Sequence, residues 1–260
     1  MLNIGLQNVP EDTYHADRTA VSKSWLDYIE RSPAHLKAYL DGLTYRDSEE
    51  LDIGRLAHCL ILEEDRFLKQ FVCAPKVDKR TTAGKQQWAE FEAANKGRTL
   101  VTQDHYKLVF NIRDAVMKHS KAAALLRNGE PEKTIVWKDA NTGELCKARA
   151  DWLRQNAIVD IKTTRDARPA EFSKSIANFR YHVQAAHYEA GFNLNRFIFI
   201  AVEKDPPFGV AVYFADSEMV RSGTEARARN LEAYAECKAS GNWPCYSESI
   251  TTIQLPRWAA

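Results

Sequence analysis

The feature that most constrains the fold is a pair of adjacent strand patterns, at 145–154 and 157–164, separated by a short polar turn at 155–156. Both segments are rich in apolar and β-branched residues, and the turn is short enough for an antiparallel hairpin. A two-residue turn would place Asp151 directly opposite Asp160. Because like charges that face each other across a ladder destabilise a sheet, this position needs a cation, a shared proton or a metal ion.

The second strand pattern places Asp160 and Lys162 on one face, with Ile161 between them. Two carboxylates and the Ile161 carbonyl would supply oxygen ligands that suit a hard divalent ion such as Mg²⁺. A lysine beside such an ion can orient or deprotonate a water for attack on phosphorus. The motif D-x-K is short, however, and taken alone it favours a buried Asp–Lys pair with a structural role.

The rest of the chain combines helical and strand patterns in an order typical of an α/β protein. Helical patterns occur at 22–40 with a break at Pro33, at 51–68, 85–94, 104–126, 169–177, 181–194 and 217–240. A polar loop is predicted at 76–84, and the other strand patterns lie at 134–139, 196–203 and 210–215. We therefore predict one domain over 1–260, with a mainly helical part at 1–130, an α/β core at 131–240 and a tail at 241–260.

Composition excludes several classes of protein. Of the 260 residues, 45% are hydrophobic and 27% are charged, as in an ordinary globular protein. No apolar run approaches the roughly 20 residues of a membrane span, and a secretory signal pattern is missing. Five scattered cysteines without a CxxC pair argue against a disulfide framework, a zinc ribbon or a four-cysteine cluster. We expect a cytoplasmic protein with no membrane partner, and the net charge of +1 leaves nucleic-acid binding open.

Two further patterns lie on helices. Gly54 and His58 form a G-x-x-x-H pattern in a strongly apolar segment, and Gln184 and Tyr188 are four residues apart, so they share a helix face. Taken alone, a core histidine, a surface glutamine and a core tyrosine would explain them.

In chain order, these motifs resemble those of the PD-(D/E)XK nucleases, in particular the RecB-like branch. Ala150 stands where the family usually has proline, and the second acid is aspartate, which is shorter than glutamate but still ligates metals. The segments TYHADRTAVSKSWLDYIERSPAHLKAY, VDIKTT and NFRYHVQAAHY are similar to the C-terminal nuclease region of RecE-type exonucleases, the exodeoxyribonuclease VIII family, functional relatives of phage lambda exonuclease.

The resemblance implies a restriction-endonuclease-like α/β core, with a mixed central β-sheet flanked by helices, behind a helical N-terminal region. It implies a site for Mg²⁺, with Mn²⁺ as an alternative, formed by Asp151, Asp160, the Ile161 carbonyl and His58. The catalytic residues would be Lys162, Asp160, Asp151 and Gln184.

The implied activity is 5′-to-3′ degradation of linear double-stranded DNA from a 5′-phosphorylated end, which releases mononucleotides and leaves 3′ overhangs for recombination. The implied partners are a single-strand annealing protein of the RecT/Bet type and further copies of the chain in a homo-oligomeric ring, a trimer or tetramer. Such enzymes are phage or prophage encoded and work in the bacterial cytoplasm.

Hydroxyl and guanidinium groups near helix ends suit phosphate, so they are candidates for the 5′-phosphate pocket. These candidates are Ser22, Ser24, Arg31 and Ser32, with Tyr188 and Arg165 as further DNA contacts. An ordinary helix cap and solvated charges explain the same residues.

Two other functions stay open. One is a RecB-type repair nuclease that acts on single strands; the sequence shows neither the four cluster-binding cysteines nor the helicase motifs that often accompany it. The other is a DNA-binding module that has lost catalysis. Degenerate members usually lose the lysine or an acid, whereas Lys162, Asp151 and Asp160 are all present here.

Overall fold

A computed structural model describes residues 2–44 and 53–255 of the chain. Its main sheet has six strands: β1 (Gly5–Asn8), β4 (Glu130–Lys138), β5 (Leu145–Arg154), β6 (Ala157–Thr164), β7 (Phe197–Glu203) and β8 (Val210–Phe214). They lie in the order β1-β4-β5-β6-β7-β8. A separate parallel pair is formed by β2 (Phe71–Cys73) and β3 (Thr99–Val101).

The sheet is mixed, because β6 and β7 pair in parallel while the other neighbours are antiparallel. The connection between the parallel strands carries α9 (Pro169–Asn178) and α10 (Tyr181–Phe192), and α11 (Ser217–Ser240) follows the last strand. The helices before β4 are α1 (Glu11–Ala16), α2 (Lys23–Arg31), α3 (Pro33–Leu40), α4 (Ile53–Leu62), α5 (Glu64–Gln70), α6 (Thr82–Ala94), α7 (Gln103–Lys118) and α8 (Ser120–Leu125).

Alternation along β6 explains why helices cover both faces of the sheet. Val159 and Ile161 are fully buried in a core cluster with α4 and α7. Ile158 is buried in a different cluster, with α9 and α10. Since side chains of a strand point alternately to opposite faces, Asp160 and Lys162 must lie on the α10 face. This placement brings the D-x-K motif under the helix that carries Gln184.

The predicted break of the first helix at Pro33 is confirmed. Two other segments, each predicted as a single helix, form two helices each. The 51–68 pattern forms α4 and α5, separated at Glu63, and its first two residues lie outside the described part. The 104–126 pattern forms α7 and α8, because His119 Nδ1 accepts a hydrogen bond from the Ala122 amide at 3.2 Å and caps the second helix. Local capping therefore overrides apolar periodicity here.

The N-terminal part contributes more than helices. The strands β1, β2 and β3 and the helix α1 were not predicted, and β1 extends the main sheet by pairing with β4. The predicted 76–84 loop ends early, because the Thr81 hydroxyl accepts from the Gly84 amide at 3.0 Å and starts α6. Within the described residues, no helix is both long and apolar enough to cross a bilayer. All five cysteines are free thiols.

Candidate active site

The antiparallel ladder between β5 and β6 stops where the two aspartates would meet. Pairing runs from the turn as far as Trp152 and Val159, which confirms the register predicted from the two-residue turn. The prediction that Asp151 pairs directly with Asp160 is wrong. Instead, Asp151 Oδ2 accepts a hydrogen bond from the Ile161 backbone amide at 2.8 Å. A side-chain oxygen thus replaces the missing main-chain acceptor, and the strands diverge to form an opening.

Asp160 is fully buried between two partners. Gln184 Nε2, on α10, donates to Asp160 Oδ1 at 2.6 Å. Asp160 Oδ2 lies 2.6 Å from Lys162 Nζ as an ion pair, yet it accepts no hydrogen bond of normal geometry from the described residues. Burial raises the pKa of the Asp160 carboxyl above its usual range, although Lys162 opposes the shift. The second oxygen is therefore a buried acceptor with unused capacity.

Lys162 carries a positive charge in this arrangement. Burial acts to lower the pKa of its ammonium group, but Asp160 and Asp151 outweigh burial, so the pKa is raised. The ammonium also lies 4.7 Å from the centre of the Tyr181 ring, which favours the cation. A lysine held in this way can stabilise negative charge on a phosphate, and it is poorly suited to accept a proton.

His58, from α4, meets the opening from the other face of the sheet. Its Nε2 lies 2.5 Å from the Ile161 carbonyl oxygen and 3.4 Å from Asp151 Oδ2. Burial acts to lower the His58 pKa, but the Asp151 carboxylate, the hydrogen bond to Ile161 and the Asp160 carboxylate together outweigh it, so the pKa is raised. Around an octahedral Mg²⁺ with ligands at about 2.1 Å, adjacent donor atoms are about 3 Å apart. The His58–Asp151 separation is close to that value, whereas the 2.5 Å contact with the Ile161 carbonyl is a hydrogen bond that a bound ion would have to replace.

Only some of the predicted metal ligands lie close together in the structure. His58, Asp151 and the Ile161 carbonyl converge, whereas Asp160 is turned toward Lys162 and Gln184. Within residues 2–44 and 53–255, no three His, Cys, Asp or Glu side chains form a ready-made metal site. The Ile161 carbonyl adds a main-chain oxygen to His58 and Asp151, and Asp160 Oδ2 is a further carboxylate oxygen with unused acceptor capacity. The metal role of these residues stays a prediction.

His58, Asp151, Ile161 and Lys162 line a cavity of about 380 Å³, whereas Asp160 and Gln184 lie behind its wall and do not line it. Lys162, Tyr188 and Tyr181 line it on the α10 side, and His58 lines it from α4. Among the described residues of its wall, sequence reasoning missed five charged ones: Glu11, Arg55, Arg66, Glu132 and Arg149. Arg149 could have been found, because it lies two residues before Asp151 and therefore on the same face of β5. No sequence signal points to Glu132.

The predicted phosphate contacts near the first helices do not reach this cavity. Ser22 and Ser32 are buried, and the Ser22 hydroxyl lies 3.2 Å from the Ser24 hydroxyl. The Ser32 hydroxyl caps α3, and Arg31 Nε donates to a tyrosine hydroxyl of the C-terminal segment at 3.2 Å. None of the four lines the cavity. Their contact with a 5′-phosphate stays a prediction without support from their position.

Arg165 lies at a neighbouring hollow. It is exposed and lines that hollow together with Lys174 and Lys204. Thr163 and Tyr181 line both spaces, so the hollow adjoins the cavity. Asp166 and Glu171 also line the hollow, so its wall carries charges of both signs.

Comparison with protein families gives a decisive match. The family described as "PDDEXK-like domain of unknown function (DUF3799)" matches residues 22–256. The chain belongs to this PDDEXK-like family. The resemblance to the PD-(D/E)XK nucleases is thereby confirmed, and so is the predicted fold class, a mixed central sheet flanked by helices.

One similar solved structure agrees with this fold, and two others are weaker matches. A candidate exonuclease from Eubacterium rectale has a TM-score of 0.60 at 11% identity, and the match covers 96% of each chain. A phage-related exonuclease from Haemophilus somnus 129PT has a TM-score of 0.35 at 11% identity, covering 78% of this chain and 100% of the other. An alkaline exonuclease from Laribacter hongkongensis has a TM-score of 0.31 at 13% identity, covering 67% and 93%. No curated protein matches the sequence.

Proposed function

We propose that the protein is a Mg²⁺-dependent exonuclease that hydrolyses linear double-stranded DNA in the 5′-to-3′ direction. One observation carries the proposal: β5 and β6 diverge and gather His58, Asp151 and the Ile161 carbonyl beside a buried Asp160–Lys162 pair. Membership of the PDDEXK-like family supports a nuclease. The preference for duplex ends and the direction rest on the similarity of the sequence motifs to RecE-type exonucleases.

The chain's own residues have separable tasks in phosphodiester hydrolysis. His58 Nε2, Asp151 Oδ2, the Ile161 carbonyl and Asp160 Oδ2 would hold the metal ion, and His58 would have to present Nε2 without its proton. A bound Mg²⁺ or Mn²⁺ would polarise the phosphate and lower the pKa of a bound water. Lys162 would stabilise the charge that builds up on the phosphate oxygens. Gln184 fixes the orientation of the Asp160 carboxylate through Oδ1.

The finer properties belong to the same proposal. The substrate would be a 5′-phosphorylated duplex end, the products mononucleotides, and the remaining 3′ overhang a substrate for a single-strand annealing protein. The working form would be a ring of three or four copies in the cytoplasm of a bacterial host. The similarity of the N-terminal, D-x-K and Q-x-x-x-Y segments to RecE-type exonucleases supports these statements.

The test is hydrolysis of uniformly labelled DNA in Mg²⁺. The substrates are a linear duplex with 5′-phosphate, the same duplex with 5′-hydroxyl, a circular duplex and a single strand. We expect mononucleotides from the 5′-phosphorylated linear duplex, none from the circle, and no cleavage by Asp160→Asn. Faster degradation of the single strand would favour a repair nuclease of the RecB type. Binding without any product would favour an inactive DNA-binding module.

A further inference from the structure

An arginine in the cavity wall has donors that the protein does not use. Arg149, on β5, is only 9% exposed, so its guanidinium is largely withdrawn from water. Glu132 Oε2 lies 2.5 Å from its Nε as an ion pair, but neither Nε nor Nη1 makes a hydrogen bond of normal geometry with the described residues. Buried polar groups are nearly always hydrogen-bonded, so such an exception calls for a partner that is absent.

Two other arginines of the same cavity differ from Arg149 in their partners or in their exposure to solvent. Arg66 donates to Glu63 at 2.6 Å and to Glu11 at 2.9 Å, so it is engaged by carboxylates. The side chain of Arg55 is 72% exposed and lies 3.5 Å from Glu11 Oε1 as an ion pair. Arg149 combines burial, unused donors and a place in the cavity wall.

The partner of Arg149 is held in an unusual backbone conformation. Glu132 has φ of 56°, in the left-handed region that non-glycine residues rarely adopt, although it lies within β4. Strain of this kind is found where the surrounding structure and a function require a particular geometry. Here the left-handed residue carries the carboxylate that lies against Arg149, and both side chains line the cavity that contains Asp151. The arrangement holds a guanidinium beside the opening between the strands.

The anion that fits these donors is a phosphodiester group. Guanidinium groups bind phosphate oxygens through strong charge-assisted hydrogen bonds. Two residues of a strand span about 6.6 Å, so Arg149 lies close to Asp151 along β5. An anion that reached Arg149 Nη1 would therefore belong to the same stretch of DNA backbone as the bond that is cut.

We propose that Arg149 is a substrate-contacting residue: its Nη1 donates to a non-bridging phosphate oxygen within one nucleotide of the scissile bond, and Glu132 is the positioning residue that holds the guanidinium. This inference deepens the proposed function and rests on it for the identity of the ligand. It adds a contact that the metal site does not supply. Arg149 would fix the DNA strand in register with Asp151.

The test is a binding measurement that does not depend on turnover. A fluorescent 5′-phosphorylated duplex is titrated with protein carrying Asp160→Asn, and the phosphates near the end are replaced one at a time by neutral methylphosphonate. With Arg149 intact, we expect neutralisation of one phosphate to weaken binding about 10-fold to 100-fold, as for loss of a hydrogen bond between charged groups. With Arg149→Gln added, that position should lose its effect while the other positions keep theirs.

Three further variants distinguish loss of the Arg149 contact from a general loss of folding. Arg149→Lys keeps a positive charge but loses the planar fork, so the sensitive position should show a smaller effect. Arg227→Gln is the matched control, because Arg227 is 8% exposed and ion-paired with Asp139 at 2.7 Å but does not line the cavity. It should keep the full methylphosphonate profile. Glu132→Gln should reduce the effect at the same position only.

The outcomes separate the two proposals. A methylphosphonate profile that is unchanged by Arg149→Gln overturns the role of Arg149, even if the parent enzyme digests duplex DNA. A profile that depends on Arg149, in a parent protein that fails to hydrolyse DNA, supports the contact and overturns the proposed function. Failure of the Asp160→Asn protein and the parent to bind any duplex overturns both.

Discussion

Asp151 Oδ2 lies 2.8 Å from the Ile161 amide nitrogen and accepts its hydrogen bond. In a continuous antiparallel ladder, that amide would be paired with a main-chain carbonyl of β5. The Asp151 side chain thus ends the ladder and at the same time points an oxygen at the opening that contains His58 Nε2, 3.4 Å away. One carboxylate has a structural task and a chemical task, and different substitutions can separate them.

Asp151→Asn should abolish cleavage with little loss of stability. Asp151→Ala should abolish cleavage and also lower the stability. The asparagine amide oxygen can still accept from Ile161, but it carries no charge for a cation. Alanine leaves a buried amide unpaired, because Ile161 is fully buried, and this should lower the unfolding free energy by about 1–3 kcal/mol. Urea denaturation followed by circular dichroism measures the stability, and release of labelled nucleotides measures cleavage. Equal stabilities of the two variants would contradict the structural task.

Gln184→Leu should raise the Mg²⁺ concentration required for cleavage. Gln184 Nε2 donates to Asp160 Oδ1 at 2.6 Å and so fixes the carboxylate orientation. Loss of groups that orient metal ligands typically costs 10-fold to 100-fold in metal affinity or activity. The concentration of Mg²⁺ at half-maximal rate should therefore increase by about 10-fold or more.

The matched control for this substitution is Gln87→Leu, because Gln87 is an exposed glutamine of α6. It should keep the parent's Mg²⁺ dependence. If Gln184→Leu lowered the rate equally at all Mg²⁺ concentrations, Gln184 would act on the DNA or on the reacting water and not through Asp160.

Much of the core could be predicted from the sequence because its strands have strong local signals. The β5 and β6 bounds and the register at Trp152 and Val159 follow from apolar content and a two-residue turn. The order of the site motifs placed Asp160, Lys162 and Gln184 together, and the structure joins them by direct contacts. Local pattern and tertiary structure agree in this part of the chain.

The rest of the site depends on contacts between distant segments. Nothing local in the sequence shows that the Asp151 side chain captures the Ile161 amide, since the same residues would also fit a regular ladder. The left-handed conformation of Glu132 is equally hidden, because β4 carries no glycine or asparagine at that position. Short strands such as β1 have weak patterns, and pairing with β4 decides their structure.

Mg²⁺ should stabilise the folded protein, and chelation with EDTA should abolish cleavage. A divalent ion would offset the repulsion between the Asp151 and Asp160 carboxylates, and it would bind the folded state in preference to the unfolded chain. At a concentration about 100-fold above the dissociation constant, the gain in unfolding free energy is about 2.7 kcal/mol. Thermal unfolding with and without Mg²⁺ measures it.

The same measurement identifies the ligands. Asp160→Asn and His58→Gln should each reduce the Mg²⁺-dependent rise in Tm, because each removes a predicted donor. Glu218→Gln is the control, since the Glu218 side chain is 73% exposed on α11 and should leave the rise unchanged. An equal rise in the parent and in Asp160→Asn would mean that the ion binds elsewhere.

His187 should make the protein sensitive to acid. It is fully buried: Nδ1 accepts from Arg227 Nε at 3.2 Å, and Nε2 lies 3.1 Å from the Lys147 carbonyl oxygen, to which it donates. An imidazolium has no acceptor for the arginine, and burial together with the Arg227 charge lowers the His187 pKa from 6.5 to about 3. Between these two values the unfolded chain binds a proton that the folded protein does not. The contribution of neutral His187 to the unfolding free energy should therefore be fully present above pH 6.5. The unfolding free energy should decrease as the pH falls below this value.

The contribution of His187 to this decrease is at most about 1.4 kcal/mol per pH unit. His187→Gln removes the titrating group but keeps a hydrogen-bond donor, so the difference in unfolding free energy between the parent and this variant should shrink between pH 6.5 and pH 4. His105→Gln provides the control, because His105 is exposed on α7, and it should keep the parent's pH dependence. Urea titrations at several pH values measure all three proteins. Parallel curves for the parent and His187→Gln would show that other groups cause the acid sensitivity.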